Sequence, residues 1–197
     1  LDLRERASAH FLRSAAAHED AAVSLAGAVT EAGERLAHCL LDGHKILCAG
    51  TDGAASSALY MTRLLMNRYQ RERPGLPALA LACEPGSLGT DVTDNNVDDT
   101  IARQLRILGR AGDCLVLFAG LRTADSMVAT MEAAKGRDIA LILLDNSTDG
   151  IVAESLHNAD VHIPGTSASS TLCHELHVTT VHCLCDLIDL QIFGEEL

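Results

Sequence analysis

Apolar positions over the first forty residues recur at helical spacing, with Phe11, Leu12, Ala15, Ala22, Leu25, Val29, Leu36 and Leu40 in phase, the period of a helix that buries one face. Gly27 and Gly33 interrupt the pattern only weakly, so it predicts two helices or one bent helix, ending at Asp42 and Gly43. Beyond that turn the pattern changes to short continuous apolar runs. Residues 45–49, 78–82, 114–118, 139–144 and 161–163 read as buried strands. Between them, helical periodicity covers 54–70, 100–108 and 123–134, and a final helix runs from Ser169, Ser170 and Thr171, whose hydroxyls suit an N-cap, to Phe193. Pro74-Gly75-Leu76-Pro77 punctuates the chain, and 84–99 is an irregular acidic stretch. Strands alternating with helices predict an α/β fold, a three-layer α-β-α sandwich around a five-stranded parallel sheet.

Composition sharpens this picture. A chain of 197 residues suits one domain with a full core. With 48% hydrophobic but only 3% aromatic residues, that core is built from Ala, Leu, Val and Ile. The net charge of -12 argues against direct binding to nucleic acid or to an anionic membrane, which would repel the protein at long range. No apolar run reaches the roughly 20 residues that span a bilayer, and Leu1 to Arg6 lacks the order of a secretory signal. A cytoplasmic protein is expected. Seven cysteines without a regular framework read as buried free thiols.

In an open parallel sheet, ligands bind beyond the carboxyl ends of the strands. After the first strand, Gly50-Thr51-Asp52-Gly53 leads into a helix N-terminus, with Thr51, Ser56 and Ser57 as donors to an anion or as ordinary turn residues. After the third strand, Arg122 is the residue suited to a phosphate, beside Thr123 and Asp125 as caps. The last helix carries Cys173-His174-Glu175-Leu176-His177 and then His182. Its paired histidines stand three apart rather than four, which fails the metalloprotease spacing. His174 and His182 lie roughly 80° apart around the helix and flank one site if another element completes it. Ile192 and Phe193 near the C-terminus are either core filling or an anchor for a partner.

The order of elements, with Lys45-Ile46-Leu47-Cys48-Ala49-Gly50, Asn67-Arg68-Tyr69, Glu72-Arg73-Pro74-Gly75-Leu76-Pro77-Ala78 and Gly109-Arg110-Ala111-Gly112-Asp113, resembles the phosphoheptose isomerase branch of SIS (sugar isomerase) domain proteins over nearly the whole chain. The stretch from Cys183 to Asp189, with Phe193 after it, is most similar to the DnaA initiator-associating proteins of that branch. The resemblance implies a flavodoxin-like SIS domain over 1–197, with 1–42 a helical segment used in oligomer packing, 43–197 the α/β core, and a homotetramer as the assembly. It also implies that His182 matches the isomerases' catalytic His and that His174 replaces their Gln. Tyr60 and Leu64 stand where they carry a metal-binding His and a catalytic Glu. Ala54 replaces a serine of their CGNGGS loop, and 119–124 replaces their phosphate-binding STSGNS loop.

On these losses the chain is expected to be a non-catalytic scaffold that gathers DnaA through Ile192 and Phe193. No cofactor is expected, and zinc only if His174 and His182 form a site. The alternatives are an isomerase of sedoheptulose 7-phosphate with His182 as acid/base, or a phosphosugar-binding module using Thr51, Ser56, Ser57 and Arg122.

Overall fold

The computed structural model describes residues 2–81, 100–119, 125–145, 156–157, 159–165 and 169–195. Its elements follow the predicted order: α1 (Leu3–Ser24), α2 (Ala26–Leu41), β1 (Ile46–Gly50), α3 (Ala55–Met66), β2 (Ala78–Ala80), α4 (Thr100–Leu108), β3 (Cys114–Phe118), α5 (Asp125–Lys135), β4 (Ala140–Asp145), β5 (Val161–Pro164) and α6 (Ser170–Phe193). The five strands form one parallel sheet in the order β2-β1-β3-β4-β5. Ile46 pairs with both Ala78 and Cys114, Cys114 with Ala140, and Ile142 with Val161. The expected acidic stretch 84–99, Arg122 and most of the loop 119–124 lie outside the described residues.

Strand side chains alternate between two cores, as the pleat requires. Ile46, Cys48, Val116, Phe118, Ile142 and Leu144 face α2, α3 and α6, whereas Leu47, Leu115, Leu117, Leu141 and Leu143 face α4 and α5. Continuous apolar runs therefore arise because both faces are covered. Each fully buried Leu or Ile contributes about 1.5–3 kcal/mol. At the amino ends of the strands, buried Asp113 ties the sheet together, accepting from the backbone N–H groups of Lys45 and Arg110 and from Lys45 Nζ.

Of the two N-terminal readings the structure has the pair of helices, and other local expectations change. The N-terminal region is two helices joined at Leu25, and α1 starts on Asp2, whose carboxylate accepts from the Arg4 and Glu5 amides. Gly33 is a contact rather than an interruption, since a Cβ there would lie 2.9 Å from Leu187 Cβ on α6. The loop after β1 turns through a single 3-10 turn, Asp52–Ala54, and Gly50 is required there because a Cβ would meet the Ala54 carbonyl at 2.5 Å. Helix α3 stops at Met66 rather than near 70, because Arg73 folds back and donates to the Leu64, Leu65 and Asn67 carbonyls, satisfying groups that a longer helix would have used. Ser169 has N-cap backbone geometry, but its hydroxyl pairs with Thr171 Oγ1 instead of a backbone amide. Five of the described cysteines are buried thiols, and Cys183 is exposed.

Helix α6 also corrects the reading of apolar length. By length and composition alone it would pass as a membrane span. In this fold it is the central helix of one layer, with Val181, Leu184, Cys185 and Ile188 fully buried against α2, α3 and the sheet.

Candidate active site

Helices α3 and α6 each follow a strand, so both begin at the carboxyl ends of the sheet and lie side by side. Polar side chains from the two helices meet along this seam. The Tyr60 hydroxyl is 2.8 Å from His182 Nε2, and Tyr69 stacks on the same imidazole with centroids 5.6 Å apart and planes 27° apart. Tyr60 also contacts His182 edge-on, and the Arg63 guanidinium lies 5.1 Å over the Tyr60 ring. His182 is thus oriented by a hydrogen bond at one nitrogen and by an aromatic face. Its Nδ1 has no protein partner among the described residues.

Toward the mouth of the seam, Ser57 is buried with its Oγ 3.5 Å from His174 Nδ1. The two histidines therefore sit on separate partners of α3, three residues apart. Ser56 is exposed and donates to the Gly53 carbonyl, and the Thr51 backbone bridges Phe118 and Ala54. Thr51, Ser56 and Ser57 thus share one loop-to-helix junction, but Ser57 is the one aimed at the histidine seam. Leu64 is buried in the core beneath Tyr60.

A zinc ion does not fit this donor set. His182 Nε2 is occupied by Tyr60, and among the described residues no group of three His, Cys, Asp or Glu side chains converges on a point. A hydroxyl–imidazole pair stands there instead.

His177, whose spacing from His174 fails the metalloprotease motif, is a buried imidazole in the structure. The ring is 8% exposed, packs edge-to-face on Phe118, and has no partner at Nδ1 among the described residues. Burial, with the neighbouring His174 charge, pushes its pKa from 6.5 to about 4, against a smaller opposing pull from Asp145. Because the folded value lies below the unfolded one, the unfolded chain takes up this proton first as pH falls. The stabilising contribution is complete above about pH 6.5 and is lost progressively toward pH 4. At about 1.4 kcal/mol per pH unit it amounts to about 3 kcal/mol. Urea midpoints at pH 7.5 and 4.5 are expected to differ less in His177→Leu than in the unsubstituted protein. An identical difference in both would remove His177 as the cause.

The C-terminal pair is half-buried. Ile192 and Phe193 pack against the core shared by α2, α3 and α6, and the Arg71 guanidinium covers the Phe193 ring at 5.7 Å. Both side chains stay partly exposed at the edge of that core.

Comparison with known proteins places this site in context. The SIS domain model matches residues 10–146. A phosphoheptose isomerase from Methylococcus capsulatus is 40% identical over 191 residues, covering 97% of this chain and 98% of that protein. One from Shewanella halifaxensis is 34% identical over 192 residues, covering 98% of each. Among solved structures, a phosphoheptose isomerase from Neisseria gonorrhoeae superposes with a TM-score of 0.87 at 30% identity, over 95% of this chain and 99% of that one. One from Francisella tularensis gives 0.89 at 25% identity, over 96% and 99%.

These likenesses overturn the expectation of a non-catalytic DnaA-binding scaffold. Relatives matched end to end at 34–40% identity are named phosphoheptose isomerases. That expectation weighed each lost polar position singly, whereas Tyr60 and His182 form a new polar pair across the seam.

Proposed function

Because this chain belongs to the SIS-domain family, in its phosphoheptose isomerase branch, we propose that it interconverts the ketose and aldose forms of a sugar phosphate such as sedoheptulose 7-phosphate. The observation that carries this reading is the hydrogen-bonded Tyr60–His182 pair on a seam between α3 and α6. Aldose–ketose isomerisation takes a proton from one carbon and returns it to its neighbour, with protons exchanged at the two oxygens. His182 Nδ1 is the proposed carrier for the carbon-bound proton. Tyr60 accepts from Nε2–H in both the neutral and the cationic ring, which leaves the Nδ1 lone pair to take the proton, and it keeps the ring plane fixed. Ser57 and His174, at the amino end of α3 and the first turns of α6, are placed to bind the sugar's hydroxyls or its phosphate.

A second reading has its own observation. Buried Leu64 offers no carboxylate beside the pair, which favours a module that binds a phosphosugar without turning it over. One experiment separates the two: incubation of the purified protein with sedoheptulose 7-phosphate, with products resolved by chromatography and a thermal shift run in parallel. Aldose product supports the isomerase. A raised Tm without product supports the binding module, and neither response sinks both.

The assembly belongs to the same proposal. Helix α1 buries no residue, and Phe11, Leu12 and Val23 are 80%, 68% and 87% exposed, more apolar surface than an isolated helix face normally leaves to water. We propose that this exposed face packs between copies, in a cytoplasmic homotetramer. Light scattering is expected to give four times the 20.8 kDa chain mass, and Phe11→Ser with Leu12→Ser is expected to reduce it. A monomeric unsubstituted protein would contradict the assembly.

A further inference from the structure

Arg63 lies one helical turn beyond Tyr60 on α3, with its guanidinium 5.1 Å over the Tyr60 ring, whose hydroxyl holds His182. The contact with the ring positions this cation without using its N–H donors. Among the described residues the guanidinium is exposed and has no hydrogen bond or ion pair. Its basic neighbours where α3 meets α6 are engaged. Arg68 pairs with Glu72 at 3.0 Å, Arg71 with the Gly194 carbonyl and the Phe193 ring, and Arg73 with Asp189 and the last carbonyls of α3.

The surroundings of Arg63 favour an anion. Helix α3 carries no Asp or Glu from Ala55 to Met66. Leu59 and Met66, 54% and 55% exposed, stand one turn before and one turn after Arg63 on its outer face, and apolar borders strengthen a charge-assisted bond made between them. Elsewhere the molecule opposes such a ligand, because a net charge of -12 repels a phosphate dianion at long range. A phosphosugar therefore needs a local cation. The planar guanidinium fork matches two phosphate oxygens at once. Ser57, Tyr60 and Arg63 also recur at every third residue, so they follow one shallowly winding line along α3.

We propose that Arg63 anchors the phosphate of the sugar and selects phosphorylated over free sugars. The inference rests on the sugar-phosphate reading and fixes the two ends of its substrate. The carbonyl carbons meet His182, the phosphate at the opposite end of the carbon chain meets Arg63, and Ser57 with His174 is left for the sugar hydroxyls. An arginine that merely complemented the carbonyl end of α3 would alter stability and leave ligand affinity untouched.

The test is a calorimetric titration of the full chain with sedoheptulose 7-phosphate and with sedoheptulose, for the unsubstituted protein, Arg63→Met and Arg63→Lys, with aldose product assayed in the same samples. Arg63 is exposed, so both variants are expected to fold, which their Tm checks. The unsubstituted chain is expected to bind the phosphate ester at least about tenfold tighter than the free sugar. Arg63→Met is expected to weaken the phosphate ester by about 10–100-fold and leave the free sugar unchanged, with Arg63→Lys in between because it keeps the charge and loses the fork. In turnover the loss falls on KM rather than kcat, the reverse of the expectation for a proton carrier such as His182. Equal affinity for the phosphate ester in the unsubstituted chain and Arg63→Met, or no preference for the ester over the free sugar, overturns the proposal even where product forms. Ester binding that collapses in Arg63→Met without any product supports the anchor and sinks turnover alone, and no binding of the ester removes both.

Discussion

Replacing His182 with Ala is expected to lower kcat for sedoheptulose 7-phosphate by about 10²–10⁴-fold, the range for loss of a positioned general acid/base. Its geometry sets the expectation. The imidazole is held by the Tyr60 hydroxyl at 2.8 Å and by the stacked Tyr69 ring, so Nδ1 meets a substrate without searching for an orientation. If Tyr60 orients the ring and stabilises its cationic form, Tyr60→Phe keeps the edge-on ring contact and loses only the hydroxyl. A drop of about tenfold is expected there, about 1.4 kcal/mol in the barrier, falling on kcat more than on KM. A merely structural hydroxyl would leave the pH profile of kcat unchanged, so that profile is the deciding readout. Full activity in His182→Ala would remove the histidine from the chemistry and leave the seam as a binding surface.

The second large effect concerns stability. The side chains of Arg73 and Asp189 are 1% and 5% exposed and are joined at 2.6 Å. Removing one member of such a pair strands the other charge away from water, so Asp189→Ala is expected to cost about 3–5 kcal/mol. Replacing both tells whether the pair itself stabilises the fold. Desolvation outweighs the attraction of Arg73 at Asp189, as the raised pKa indicates. An Arg73→Met/Asp189→Leu variant is therefore expected to recover much of the loss. Recovery stays incomplete, because Arg73 also satisfies the Leu64 and Leu65 carbonyls at the end of α3. Urea denaturation of both single variants and the double variant measures this cycle, and a double variant as unstable as the summed singles would show no coupling.

The failed expectation about function has a physical origin too. In the sequence, Leu64 and Tyr60 read as losses from a known pattern, since a sequence shows which residue type is missing but not which contact takes its place. Tyr60 and His182 are 122 residues apart in the chain. Likewise, His174 and His182 suggested one shared metal site from helical geometry alone. Helix α3 supplies each with its own oxygen partner, Ser57 and Tyr60, and α6 periodicity carries no information about α3.

What the sequence determined by itself was the order and type of the elements. Periodicities of 2 and 3.6, continuous apolar runs and turn residues are local signals, and burial of β1, β3 and β4 on both faces made those signals strong. The tertiary structure alone decided where α3 ends, why Gly33 and Gly50 are needed, and which polar groups meet: Tyr60 with His182, Ser57 with His174, and Arg73 with Asp189 across 116 residues. These depend on distances between elements that are set only when the helices pack on the sheet, and side-chain chemistry at 2–4 Å is decided by that packing rather than by any local pattern.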